Sequence, residues 1–123
     1  KERLPFDFPR KEEIIDLLRD IKKRGKRIVG VSASAKGNSL LNYCKIGNDY
    51  IDYITEKAET KIGLFTPGSH IKIFNDAAIM NDNPDYALLL AWNFADEIMN
   101  NLKRFKENGG RFIIPIPKPR ILQ

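Results

Sequence analysis

The strongest constraint on the fold is an alternation of short, continuous apolar runs with segments of helical apolar spacing. Residues 26 to 31 hold Ile28, Val29 and Val31, residues 86 to 90 read Tyr86-Ala87-Leu88-Leu89-Leu90, and residues 111 to 114 read Arg111-Phe112-Ile113-Ile114. Runs this short and this apolar suit strands covered on both faces. Between them, residues 11 to 24 place Ile14, Leu17, Leu18 and Ile21 on one helix face, with Gly25 as the stop. Residues 93 to 108 do the same with Ile98, Leu102 and Phe105, and Gly109-Gly110 closes them. A further helix is expected from about residue 38 to 45, after the small residues 32 to 35. Strands are expected at residues 50 to 54 and 71 to 74, with a short helix or turn at 75 to 81. Pro115, Pro117 and Pro119 keep the tail from continuing as a central strand.

Strands alternating with helices imply a mainly parallel sheet with helices on both faces, an α/β, Rossmann-like arrangement. The 123 residues allow one such domain, and are too few for a cofactor domain plus a substrate domain. The expected division is a linker-like segment at residues 1 to 10 and the domain at 11 to 123. The chain starts without Met in a charged, proline-containing stretch, as expected of a domain joined to others through a linker.

A net charge of +5 raises the question of nucleic acid, but the basic residues are spread through helices and loops without the stacked aromatics of common RNA-binding modules. That distribution argues against nucleic acid and suits a small anion such as a nucleotide diphosphate. The single cysteine, Cys44, excludes an intrachain disulfide, and with one histidine it supplies no metal-ligand set. A cytoplasmic setting is expected. No apolar run approaches the roughly 20 residues needed to cross a bilayer, so no membrane partner is expected.

In sheets of this kind ligands bind outside the carboxyl ends of the strands. Three polar clusters fall there: residues 32 to 38, residues 66 to 70, and Trp92-Asn93. In the first, Gly30-Val31-Ser32-Ala33-Ser34-Ala35-Lys36-Gly37-Asn38, small residues allow close backbone approach, the following helix start favours anions, and Lys36 adds charge. Ser32 stands where the second glycine of a dinucleotide fingerprint would be. The same small residues also serve helix-strand packing, with Asn38 or Ser39 as an N-cap. His70 follows a Thr-Pro-Gly-Ser turn without a titratable partner, so substrate hydrogen bonding or turn structure suits it better than proton transfer. Asn93 reads equally as a ligand contact or a helix cap. Cys44 shares a helix face with Leu40 and Leu41 and reads as a buried hydrophobe. Asp85, Asp96 and Glu97 form no acid/base pair, so no catalytic residue is assigned.

Four strings taken in order carry a more specific resemblance. They are Ala33-Ser34-Ala35-Lys36-Gly37-Asn38-Ser39-Leu40-Leu41-Asn42-Tyr43-Cys44, Phe65-Thr66-Pro67-Gly68-Ser69-His70-Ile71, Leu89-Leu90-Ala91-Trp92-Asn93-Phe94-Ala95-Asp96-Glu97-Ile98, and Gly109-Gly110-Arg111-Phe112-Ile113-Ile114-Pro115-Ile116-Pro117. Together they resemble the C-terminal domain of the S-adenosylmethionine-dependent sugar C-methyltransferase family. The resemblance implies a three-part parent: a zinc-binding N-terminal region, a central cofactor-binding methyltransferase domain, and this domain. It implies proton removal beside a keto group of a nucleotide-diphosphate deoxysugar and methyl transfer to the enolate carbon, with S-adenosylmethionine and the proton-abstracting residues chiefly in the central domain. This chain would then help hold the nucleotide sugar through Ser34, Lys36 and Asn38, with Thr66, His70 and Asn93 as further contacts, and would be inactive alone. Ser32, in place of a common glycine, and Ala91, in place of a common proline, depart from the family pattern. Two other readings stay open: a noncatalytic docking module of a methyltransferase-like protein, and an independent dinucleotide-dependent enzyme.

Overall fold

Apolar runs with no polar face must be covered on both sides, and the computed structural model, which describes residues 10 to 122, shows how. All but Arg10 of the expected linker at 1 to 10 lies outside the described residues. Strands β1 (Ile28–Val31), β2 (Ile54–Glu56), β3 (Ile73–Asn75), β4 (Tyr86–Leu89), β5 (Arg111–Ile114) and β6 (Arg120–Leu122) form one sheet in the order β3-β2-β1-β4-β5-β6. The first five run parallel, and β6 pairs antiparallel with β5. Helices α1 (Lys11–Lys23), α2 (Ala35–Cys44), α3 (Ala77–Asp82), α4 (Ala95–Asn101) and α5 (Lys103–Glu107) complete the described fold. The expected α/β sheet, mainly parallel, is the one observed.

Strand pleating sends alternate residues to two separate cores. Ile28, Ile54, Ile73, Tyr86, Leu88 and Ile113 pack with α1 and α2 on one face. Val29, Val31, Ala87, Leu89, Phe112 and Ile114 pack with α3 and α5 on the other. The neighbours of β1 are β2 and β4, so the strand order reverses there, and the carboxyl ends of β1 and β4 flank the switch point where such sheets bind ligands.

Several boundaries differ from expectation. The second strand, expected at 50 to 54, begins only at Ile54. The amides of Tyr50 and Ile51 donate to the Gly47 carbonyl and close a turn, so Ile51 is buried without joining the ladder. α2 starts at Ala35 rather than near residue 38, because the Ser34 hydroxyl, not Asn38 or Ser39, caps it by accepting from the Gly37 amide. The helix expected at 93 to 108 is a 3-10 turn (Trp92–Phe94), then α4 and α5, divided at Leu102 with φ −109°. Leu102 and Phe105 nevertheless remain buried on the inward side. The proline-rich tail reverses the chain and returns as edge strand β6, a position compatible with prolines before it.

The amino ends of the strands are tied by charge. The Arg27 guanidinium donates to both Asp82 carboxylate oxygens at 2.9 and 2.6 Å and to Asp52 at 2.9 Å. The Tyr53 hydroxyl donates to Asp82 at 2.8 Å, and the Arg27 amide donates to Asp85 at 2.8 Å. Asp82 is held below the ordinary carboxylate range chiefly by the Arg27 hydrogen bond. This network lies at the end of the sheet away from the switch point and serves as a brace.

Candidate functional site

The turn after β1 is held by side chains from outside it. Ser32 takes a left-handed backbone, φ 75°, a conformation that suits glycine. Its amide donates to the Thr55 carbonyl at 2.8 Å, and the Ala33 amide donates to a Glu56 carboxylate oxygen at 2.8 Å. The other Glu56 oxygen accepts from the Lys57 and Ala58 amides, each at 3.0 Å. Lys61 Nζ donates to the Ala33 carbonyl at 2.8 Å. Glu56 thus stands at the end of β2, where dinucleotide-binding sheets place an acid that meets a ribose. Here its carboxylate is spent on the backbone amide of the first turn and on its own loop.

Burial pushes the Glu56 carboxyl up, but the amides of Ala58 and Ala33, the charge of Lys61 and the Lys57 amide together hold it below the usual glutamate range. A carboxyl depressed on folding stabilises fully above its unfolded value, about 4.3, and loses that contribution as pH falls through the folded value. The Ala33 amide resonance is therefore expected to titrate with a midpoint below the ordinary glutamate value. A titration of that resonance with a midpoint near 6 would remove Glu56 as the brace.

Beside this turn lies a pocket of about 390 Å³ between α2 and the segment that leads into β3. Leu41, Ile54, Ile73 and Leu90 give it an apolar lining, with Phe65 and Pro67 from the long loop. Ser34, Asn38 and Thr66, three of the six proposed contacts, line it together, and Lys61 joins them. The Ser34 hydroxyl is occupied twice, accepting from the Gly37 amide and donating to the Leu90 carbonyl at 3.0 Å. Thr66 Oγ1 accepts from the Ile71 amide at 2.9 Å and is hydrogen-bonded to Ser69 Oγ at 2.5 Å. Asn38 differs: its Oδ1 is buried with no hydrogen-bond partner. Leaving a buried acceptor unmet costs about 1–3 kcal/mol.

The remaining three candidates sit elsewhere. Lys36 is half-buried on the first turn of α2 and does not line the pocket. His70 is exposed, in a left-handed conformation with φ 56°, its ring stacked on Phe65 at 4.4 Å between centroids. Asn93, exposed in the 3-10 turn, lines a different hollow with Trp92, Phe94 and Ile114. A second crevice, about 280 Å³, opens across the switch point between Ser32, Glu56, Asp76 and Phe94. Burial pushes the Asp76 carboxyl up there. Cys44 is buried, and burial pushes its thiol up to about 11, which suits the small hydrophobe expected. Neither Glu56 nor Lys61 was singled out by the sequence reading; the signal for Glu56 was its place at the end of the second strand, whereas Lys61 lay in an unpatterned loop.

Compared with known families, residues 9–117 match the model described as the C-methyltransferase C-terminal domain. The chain belongs to that family. C-methyltransferase NovU of Streptomyces niveus is 44% identical over 110 residues, which cover 89% of this chain and 26% of the relative. This C-methyltransferase C-terminal domain therefore spans about a quarter of the length of the curated relative it matches. Among the described residues no helix is long and apolar enough to cross a membrane.

Proposed function

We propose that this domain holds a nucleotide-diphosphate keto-deoxysugar for a larger S-adenosylmethionine-dependent C-methyltransferase in the cytoplasm. The observation that carries the reading is the convergence of Ser34, Asn38, Thr66 and Lys61 on one mostly apolar pocket beside the switch point. In the parent enzyme, S-adenosylmethionine supplies the methyl group that joins the enolate carbon of the sugar. The residues present here do not fit that cofactor or a dinucleotide at the first turn. Ser32 carries a side chain where close approach needs glycine, and the Ala33 amide already serves Glu56. Cofactor binding and proton removal accordingly belong to the central methyltransferase domain, which is also this domain's partner, while Lys36 and Lys61 supply positive charge for the diphosphate.

Amide-resolved NMR titration with thymidine- and other nucleoside-diphosphate sugars, S-adenosylmethionine and NAD tests the reading. The nucleotide sugars are expected to shift amides 34 to 38 and 61 to 66 saturably, Lys36→Ala to weaken binding about tenfold, and S-adenosylmethionine to leave these amides unmoved. Shifts centred there with S-adenosylmethionine or NAD would overturn it. A docking module is the second reading, favoured by the exposed apolar side chains of Leu64, Phe65, Phe74 and Phe94. Silence toward every nucleotide, with binding to the separately produced central domain, would establish it instead.

A further inference from the structure

We infer that Glu56 closes the turn after β1 to phosphate-bearing ligands by seating its own carboxylate in an anion site at the switch point. Removing that side chain opens the site to a free anion. Unlike the nucleotide-sugar reading, this exclusion stands whichever ligand the domain holds.

The donors around the carboxylate are those a bound anion needs. The Lys57 and Ala58 amides are consecutive and converge on one Glu56 oxygen at 3.0 Å each, while the Ala33 amide meets the other oxygen at 2.8 Å. Consecutive amides aimed at one point make the kind of concavity that binds phosphates. Lys61 adds positive charge to the carboxylate, and its Nζ holds the Ala33 carbonyl at 2.8 Å. In dinucleotide-binding sheets the amides of the first turn serve the pyrophosphate, and the acid at the end of the second strand meets a ribose. Here that acid is turned onto the first-turn amide, so one internal contact consumes both places. The site is also within reach of solvent. Glu56 is half-buried and, with Ser32 and Lys57, lines the crevice of about 280 Å³ across the switch point. Truncating its side chain joins the vacated volume to that crevice. Asp76 and Glu97 line the same crevice and oppose an entering anion, whereas Lys57 favours it, so millimolar affinity is expected.

Glu56→Ala tests this by amide-resolved NMR and thermal melting at fixed pH and ionic strength. Inorganic phosphate and pyrophosphate are expected to shift the Ala33, Lys57 and Ala58 amides of the variant saturably. At roughly ten times its dissociation constant, either anion should raise the variant's melting temperature by about 4–6 °C, and chloride should not. The unmodified chain should bind both at these amides more weakly, by roughly tenfold or more. Glu56→Gln keeps the side chain's length and decides the matter where Glu56→Ala does not fold. Its carboxamide turns an NH2 toward an amide donor, so phosphate is expected to displace it and to shift the same three amides. A carboxylate with a purely structural role would instead leave a variant whose lost stability no anion restores. A folded variant whose three amides ignore both anions, or an unmodified chain that binds them there equally well, would overturn the exclusion. The nucleotide-sugar reading, tested at amides 34 to 38 and 61 to 66, stands or falls separately.

Discussion

Gly37→Ala is expected to destabilise the domain by about 3 kcal/mol, measured as a shift of the urea midpoint at constant slope. A Cβ at this position would stand 2.5 Å from Leu90 Cβ, 2.8 Å from the Leu90 carbonyl oxygen and 3.0 Å from Ser34 Oγ. Two of these are backbone-fixed points at the end of the central strand β4, and Leu90 is buried between α2 and the sheet. The strand cannot yield, so α2 must lift. Lifting it also breaks the bond from the Ser34 hydroxyl to the Leu90 carbonyl, which ties the helix start to the switch point. Since the same helix start borders the pocket, nucleotide binding should weaken together with stability. A loss below about 1 kcal/mol would mean that α2 can move outward freely, and that the pocket is not held by this contact.

Phe105→Ala should cost more, about 4 kcal/mol by the same denaturation measurement, because it empties the core of the opposite face. The ring is fully buried, meets Phe112 edge to face at 5.5 Å, and rests where any side chain on Gly110 would be. α5 has five residues and Phe105 is its buried residue, so little else holds it to the sheet. The two faces of the sheet are separate clusters, and the Asn38 pocket lies on the other one. At low temperature, where the variant remains folded, nucleotide affinity should therefore match that of the unmodified chain. A large drop in affinity would mean that the two cores communicate through the sheet.

The alternation of apolar runs with amphipathic helices was enough to read the fold class, because strand burial on both faces leaves its mark on every residue of Ile28–Val31 and Tyr86–Leu89 and on Phe112, Ile113 and Ile114. Where burial and hydrogen bonding part company, the reading slipped. Tyr50 and Ile51 are apolar in a turn, and Ser34 caps α2 in place of the expected Asn38 or Ser39. The Arg27 network, joining residues 27, 52, 53, 82 and 85, has no local signature, since its members are brought together only by the amino ends of three strands.

The candidate site shows the same division. The small residues after β1, the Thr-Pro-Gly-Ser turn and the Trp-Asn pair were legible as polar clusters near strand ends, and the family resemblance rested on the longer strings around them together with residues 109 to 117. Which of them share a pocket was not. Sequence records what each residue can do: Asn38 can accept a hydrogen bond, Glu56 can bind amides, Lys61 can carry charge. Only the tertiary structure decided that Glu56 is spent on the Ala33 amide, that Ser34 and Thr66 are spent on the backbone, and that Asn38 Oδ1 is left buried and unmet. The physical reason is that apolar periodicity is a property of neighbouring residues along the chain, whereas the saturation of a hydrogen-bonding group depends on which distant segments the sheet order brings against it.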